Sequence, residues 1–164
     1  MRHKILILPL VFLLFSGCTS KKTVEPVLNN INFSAVITYN DAEFECYVEI
    51  LDDKFTSTVV KPETIKDFTL SFNNDGVTAE YLGITYTPET HSMPSTAAVQ
   101  ILYDIISDVS KQGITAYCKE ENCTIDRYIN DYAYSFEFSP SGLPISLSID
   151  DLDLDIKFNN ITVL

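Results

Sequence analysis

Residues 31–50 read INFSAVITYNDAEFECYVEI. Ile31, Phe33, Ala35, Ile37 and Tyr39 alternate with mostly polar neighbours, and Asn40-Asp41-Ala42 turns the chain. Phe44, Cys46, Val48 and Ile50 then alternate with Glu43, Glu45 and Glu49. Side chains of a strand point to opposite faces with period two, so this pattern predicts a hairpin with one buried face and one acidic, wet face.

The same rhythm runs outward in both directions. Phe55 to Val60 is β-branched and ends at Pro62. Phe68, Leu70 and Phe72 alternate up to Asn74-Asp75-Gly76, a strong hairpin turn, and Val77 to Thr87 reads as one further strand. After Gly113, strands are expected at 114–119 and 123–129 around Glu120-Glu121-Asn122, and again at Tyr132, Tyr134, Phe136 and Phe138. Ile145, Leu147 and Ile149 are apolar at odd positions, whereas Leu152, Leu154, Ile156 and Phe158 are apolar at even ones. A shift by one would send the apolar set to the wrong face, so a turn or bulge is required, and Asp150-Asp151 is the place for it.

Residues 95–111 (STAAVQILYDIISDVSK) break the rhythm. Ala98, Ile101, Leu102, Ile105, Ile106 and Val109 form a helical stripe, with Gln100, Asp104, Ser107, Asp108 and Lys111 on the other side. Pro94 and Ser95 stand where a helix begins and Gly113 where one is capped. The expectation is an α+β fold of eight to ten strands. One long, strongly curved antiparallel sheet packs on the helix at about 95–111, within a single β-rich domain at 31–164.

The start of the chain follows a different logic. Arg2, His3 and Lys4 precede the uncharged run ILILPLVFLLF (5–15), and Ser16-Gly17-Cys18 closes it. At ~1.5 Å per residue the run covers ~17 Å, short of the ~30 Å hydrocarbon core, so it reads as a secretion signal and not a membrane span. Phe15-Ser16-Gly17-Cys18 resembles the lipobox of bacterial lipoproteins, with Phe15 in place of the usual Leu. The resemblance implies that residues 1–17 are removed and that Cys18 is acylated and becomes residue one. It places the protein on the extracytoplasmic side of the cell membrane, lipid-anchored. Thr19 after the cysteine, instead of Asp, resembles lipoproteins sorted to an outer membrane where the cell has one. Residues 18–30, polar after the cysteine and carrying Pro26, read as a tether.

With Arg2 and Lys4 removed, nine basic side chains face 23 acidic ones, a net charge of −14. Such a chain lacks the cationic face that nucleic-acid binding needs, and anionic headgroups repel it, so the lipid must hold it on the membrane. Cys46, Cys118 and Cys123 remain. Cys118 and Cys123 flank a four-residue turn and can face each other across a hairpin at bonding distance, with Cys46 left over; three free thiols are the alternative. No second C-x-x-C or H-x-x-H arm accompanies them, so no metal site is expected. Asp151, Asp153 and Asp155 resemble the opening of a calcium loop but lack its glycine and distal glutamate, and read as the wet face of a strand. No G-x-S-x-G and no glycine-rich phosphate loop occur, and His91 sits alone in a Pro-flanked loop. No enzyme and no cofactor are expected.

The chain has nine Tyr and ten Phe with no Trp, and many of them fall on the inner faces of the expected strands. The chain resembles the LolA/LolB-type lipoprotein carriers and related lipid-binding envelope lipoproteins over roughly residues 31–164. The likeness rests on lipidation, antiparallel strands around an amphipathic helix, and the turn Phe138-Ser139-Pro140-Ser141-Gly142-Leu143-Pro144 with its S-G-x-P at 141–144. It implies a half-barrel whose concave face is lidded by helix and holds lipid. The expected function is therefore binding of an apolar ligand, such as lipid, between sheet and helix, with Ile101, Leu102, Ile105 and Ile106 lining the groove. The rival expectation is a non-catalytic structural or protein-interaction module with a filled core.

Overall fold

Alternating apolar side chains become strands wherever the sequence carries them. The computed structural model describes residues 22–73, 76–87 and 97–164, so the signal segment, Cys18, Pro94, Ser95 and His91 lie outside the described residues. In chain order the strands are β1 (Lys22–Val24), β2 (Ile31–Tyr39), β3 (Ala42–Leu51), β4 (Lys54–Lys61), β5 (Thr69–Asn73), β6 (Gly76–Tyr81) and β7 (Ile84–Tyr86). Helix α1 (Ala98–Gln112) follows, then β8 (Ala116–Lys119), β9 (Asn122–Ile129), β10 (Tyr132–Phe138), β11 (Pro144–Ile149) and β12 (Leu154–Val163).

All twelve strands join one antiparallel sheet in the order β1-β8-β9-β10-β11-β12-β2-β3-β4-β5-β6-β7. Two meanders, β2–β7 and β8–β12, are zipped together where β12 pairs β2, from Leu154↔Tyr39 to Val163↔Ile31. The sheet does not close: β1 and β7 are its edges. β7 and β8 stand far apart in that order, and α1 lies between them in the chain.

The α+β class is corrected here. Strand accounts for 60% of the described residues and a single helix is present among them, so the fold is predominantly β. The reason is one of size. A 15-residue helix is ~22 Å long, whereas twelve strands at ~4.8 Å spacing extend over ~50 Å, so one helix cannot form a second layer. α1 contributes Ile101, Leu102, Ile105, Ile106 and Val109 to the buried core, and apart from Leu28 every other core side chain stands on a strand. Phe33, Phe136, Phe138 and Phe158 form one aromatic group, with ring centroids 4.3–5.6 Å apart.

Two strands exceed the expected eight to ten. The run expected as one strand at 77–87 is broken by Leu82 (φ 53°) and Gly83 (φ 78°), the two positive-φ positions of a tight hairpin. The other addition is β1, inside the segment read as a tether: Lys22↔Cys118, Thr23↔Tyr117 and Val24↔Ala116 are paired. Leu28 is buried, and the Val27 N–H donates to Gly142 O at 2.8 Å. Residues 22–30 are thus docked on the domain. The parity change falls at a short 3-10 turn, Asp150–Leu152, with Asp153 left-handed and Ile149↔Leu154 the flanking pair. Gly113 caps α1 at φ 59°, ψ 41°.

Candidate functional site

Four places bear on function: the sheet–helix interior, a cleft at the side of α1, the cysteines and the β6–β7 edge. In the interior, Leu102 and Ile105 are fully buried, and Ile101 and Ile106 nearly so. The structure brings these four together on the inner face of α1, where protein side chains meet them. Tyr103 beside them stacks on Phe72 with centroids 4.7 Å apart and meets the edge of Phe55 at 5.7 Å. Asp104 accepts a hydrogen bond from Gln100 Nε2 at 2.8 Å, and its partial burial raises its carboxyl pKa against that bond.

A cleft of about 260 Å³ opens between α1 and the β3–β4 turn, lined by Ile50, Phe55, Tyr103 and Ile106 within a rim that includes Asp52, Asp53, Lys54 and Lys111. Ligand pockets for drug-sized molecules run from ~300 to ~1,000 Å³, so this cleft is small as well as charged at its mouth. Among the described residues, no group of three or more His, Cys, Asp or Glu side chains is placed to hold a metal ion. Asp151 and Asp153 lie in or beside the 3-10 turn while Asp155 pairs with Ser148 on the open face of the sheet.

Cys118 and Cys123 are register partners in the β8–β9 hairpin and form a disulfide. Cys46 is free and buried. Burial raises its thiol pKa and Glu45 adds to that, while a hydrogen bond with Ser57 opposes it. The thiol is therefore protonated and unreactive near neutral pH. Unfolding the chain without Cys18 and without reductant should release one free thiol, Cys46; a titration finding three would show the hairpin unbonded.

Tyr134 is 3% exposed and its hydroxyl has no hydrogen-bond partner among the described residues. Burial, with help from the Asp108 carboxylate and against Arg127, pushes its pKa from 10.0 up to about 12. Folded and unfolded chains are both neutral here below pH 10, and above it the unfolded chain loses the proton first. Stability therefore falls as pH rises from about 10 to about 12. Tyr134→Phe should be neutral or slightly stabilising at pH 8, because it removes an unpaired buried hydroxyl. Its advantage over wild type should widen in urea unfolding at pH 11.5, and a gap equal at the two pH values would refute this assignment.

The sequence reading missed the edge. Leu82, Ile84 and Tyr86 are 82%, 72% and 63% exposed, clustered on the β6–β7 hairpin at one border of the sheet. The Leu82-Gly83 dipeptide was the available signal, since glycine beside a strand pattern marks a turn. No helix among the described residues is long and apolar enough to cross a membrane. Neither a protein-family model nor a curated protein matches this chain.

Proposed function

We propose that this protein is a non-enzymatic module of the bacterial cell envelope, held on the outer side of a membrane through an acylated Cys18, which acts by engaging another protein. The observation that carries this reading over that of a lipid carrier is the filled interior. Ile101, Leu102, Ile105 and Ile106, the side chains that would line a ligand groove, are nine-tenths or more buried in one continuous core with the sheet. Consistent with a protein partner, β7 is an edge strand of the sheet among the described residues and its hairpin exposes Leu82, Ile84 and Tyr86, and such an edge is a template for strand addition.

The test is mass spectrometry of the purified domain without its anchor, alongside Leu102→Trp. The expected result is no co-purified lipid in either protein, with the variant destabilised by ~1–3 kcal/mol because a close-packed core accepts added bulk only with strain. Lipid bound to wild type and displaced from a stable Leu102→Trp variant would instead establish the apolar-ligand reading.

A further inference from the structure

We infer that the end of the sheet carrying the β8–β9 and β10–β11 turns rests on the phospholipid surface and that the opposite, acidic end is held away from it. This orientation rests on the acylated Cys18 proposed above. Four residue steps separate Cys18 from Lys22, the first residue of β1. A fully extended chain spans at most ~3.6 Å per residue, so Lys22 stands within ~14 Å of the acylated residue. A flexible tether would let the domain tumble, but β1 is hydrogen-bonded into the sheet and residues 25–28 are packed on it.

The direction of β1 selects the end. Lys22 pairs with Cys118 and Val24 with Ala116, so the chain enters the sheet from the side of the β8–β9 turn, Glu120-Glu121. Through the registers Cys118↔Cys123, Cys123↔Phe138 and Phe138↔Pro144, that same end carries the turn at 139–143. Gly142 of this turn accepts the hydrogen bond from Val27, which ties it to the segment next to the anchor.

Charge is partitioned along the strands in the same sense. At the anchor end Lys22, Lys54 and Lys119 stand beside Glu25, Asp52, Asp53, Glu120 and Glu121, and the 139–143 turn carries no charge. At the other end the β2–β3, β9–β10 and β11–β12 turns carry Asp41, Asp131, Asp150, Asp151 and Asp153 with no basic residue in any of them, and the β4–β5 connection adds Glu63 and Asp67 against Lys61 and Lys66. Two of these turns touch, since Asn40 N–H donates to Asp153 O at 3.2 Å. The nine residues of β2 separate the ends by ~30 Å, nearly four Debye lengths of ~8 Å at physiological ionic strength. An anionic leaflet would repel the far end more than the near one if either approached it; at this separation the far end is screened from it, and the short anchor brings only the near one close.

The experiment uses the mature acylated chain in vesicles of phosphatidylethanolamine and phosphatidylglycerol. Ser141→Cys and Asp151→Cys, both at exposed positions, are labelled with a thiol-reactive fluorophore, Cys46 being buried and unreactive. Quenching by headgroup spin-labelled lipid is then compared between vesicle-bound proteins recovered by flotation. The expected result is quenching several-fold stronger at position 141 than at 151. Equal quenching at the two positions in protein that floats overturns the orientation and leaves the anchor standing. Protein that does not float overturns the acylation reading and the orientation with it.

Discussion

Phe136→Ala is expected to lower the unfolding free energy by about 3–5 kcal/mol, the range for removing a buried aromatic ring from a core that cannot collapse around the loss. Phe136 is fully buried on β10, near the middle of the β8–β12 meander. Its ring lies 4.3 Å from that of Phe138 and 5.6 Å from that of Phe158, and Phe158 in turn meets Phe33 at 5.1 Å. Phe158 stands on β12 and Phe33 on β2, so the cluster bridges the seam that joins the two meanders. Against a total stability of ~5–15 kcal/mol, such a loss leaves the sheet marginal. Urea unfolding should show a much lower midpoint with an unchanged slope, because the surface exposed on unfolding is nearly the same. A shift below ~1 kcal/mol would mean that the cluster is not close-packed.

Gly142→Ala is expected to cost about 2–4 kcal/mol, from two sources. Gly142 has φ +83°, and a side chain held in a sparsely populated backbone region costs ~1–3 kcal/mol. An added Cβ would also collide with the Glu25 carbonyl oxygen, and that atom is backbone. Relief requires moving the 25–28 segment, which weakens the Val27-to-Gly142 hydrogen bond and the seat of Leu28. Gly83→Ala is the control: its φ is +78°, but a Cβ there meets nothing within 4 Å. Equal losses at the two glycines would refute the collision. A larger loss at Gly142, with faster amide exchange at Val27, would show that this turn clamps the N-terminal segment.

That clamp explains why the stretch at 22–30 was hard to read. A three-residue strand is too short to display a period, and Leu28 is buried by residues distant in sequence, so residues 22–30 (KTVEPVLNN) carry the composition of a tether while forming part of the fold. The candidate site divides in the same way. The stripe of α1 is visible as a stripe because Ile101, Leu102, Ile105 and Ile106 recur at helical spacing. Whether it faces ligand or protein depends on the strand side chains that bury it in one core, and these are distant in sequence.

The sequence by itself determined the local alternatives at each position. Period-two alternation marked most strands, the helical stripe marked α1, Gly113 marked its cap, and the parity change between Ile149 and Leu154 required the turn found there. These are legible because side-chain direction repeats every 2 or 3.6 residues whatever the rest of the chain does. The tertiary structure alone decided which distant segments are neighbours: β12 on β2, β1 on β8, and Gly142 under Glu25. It also decided that, among the described residues, the single helix is an accessory to twelve strands and not a layer of its own. Pairing and burial are set by the joint fit of segments up to 132 residues apart, as between Ile31 and Val163, and no local period encodes that fit.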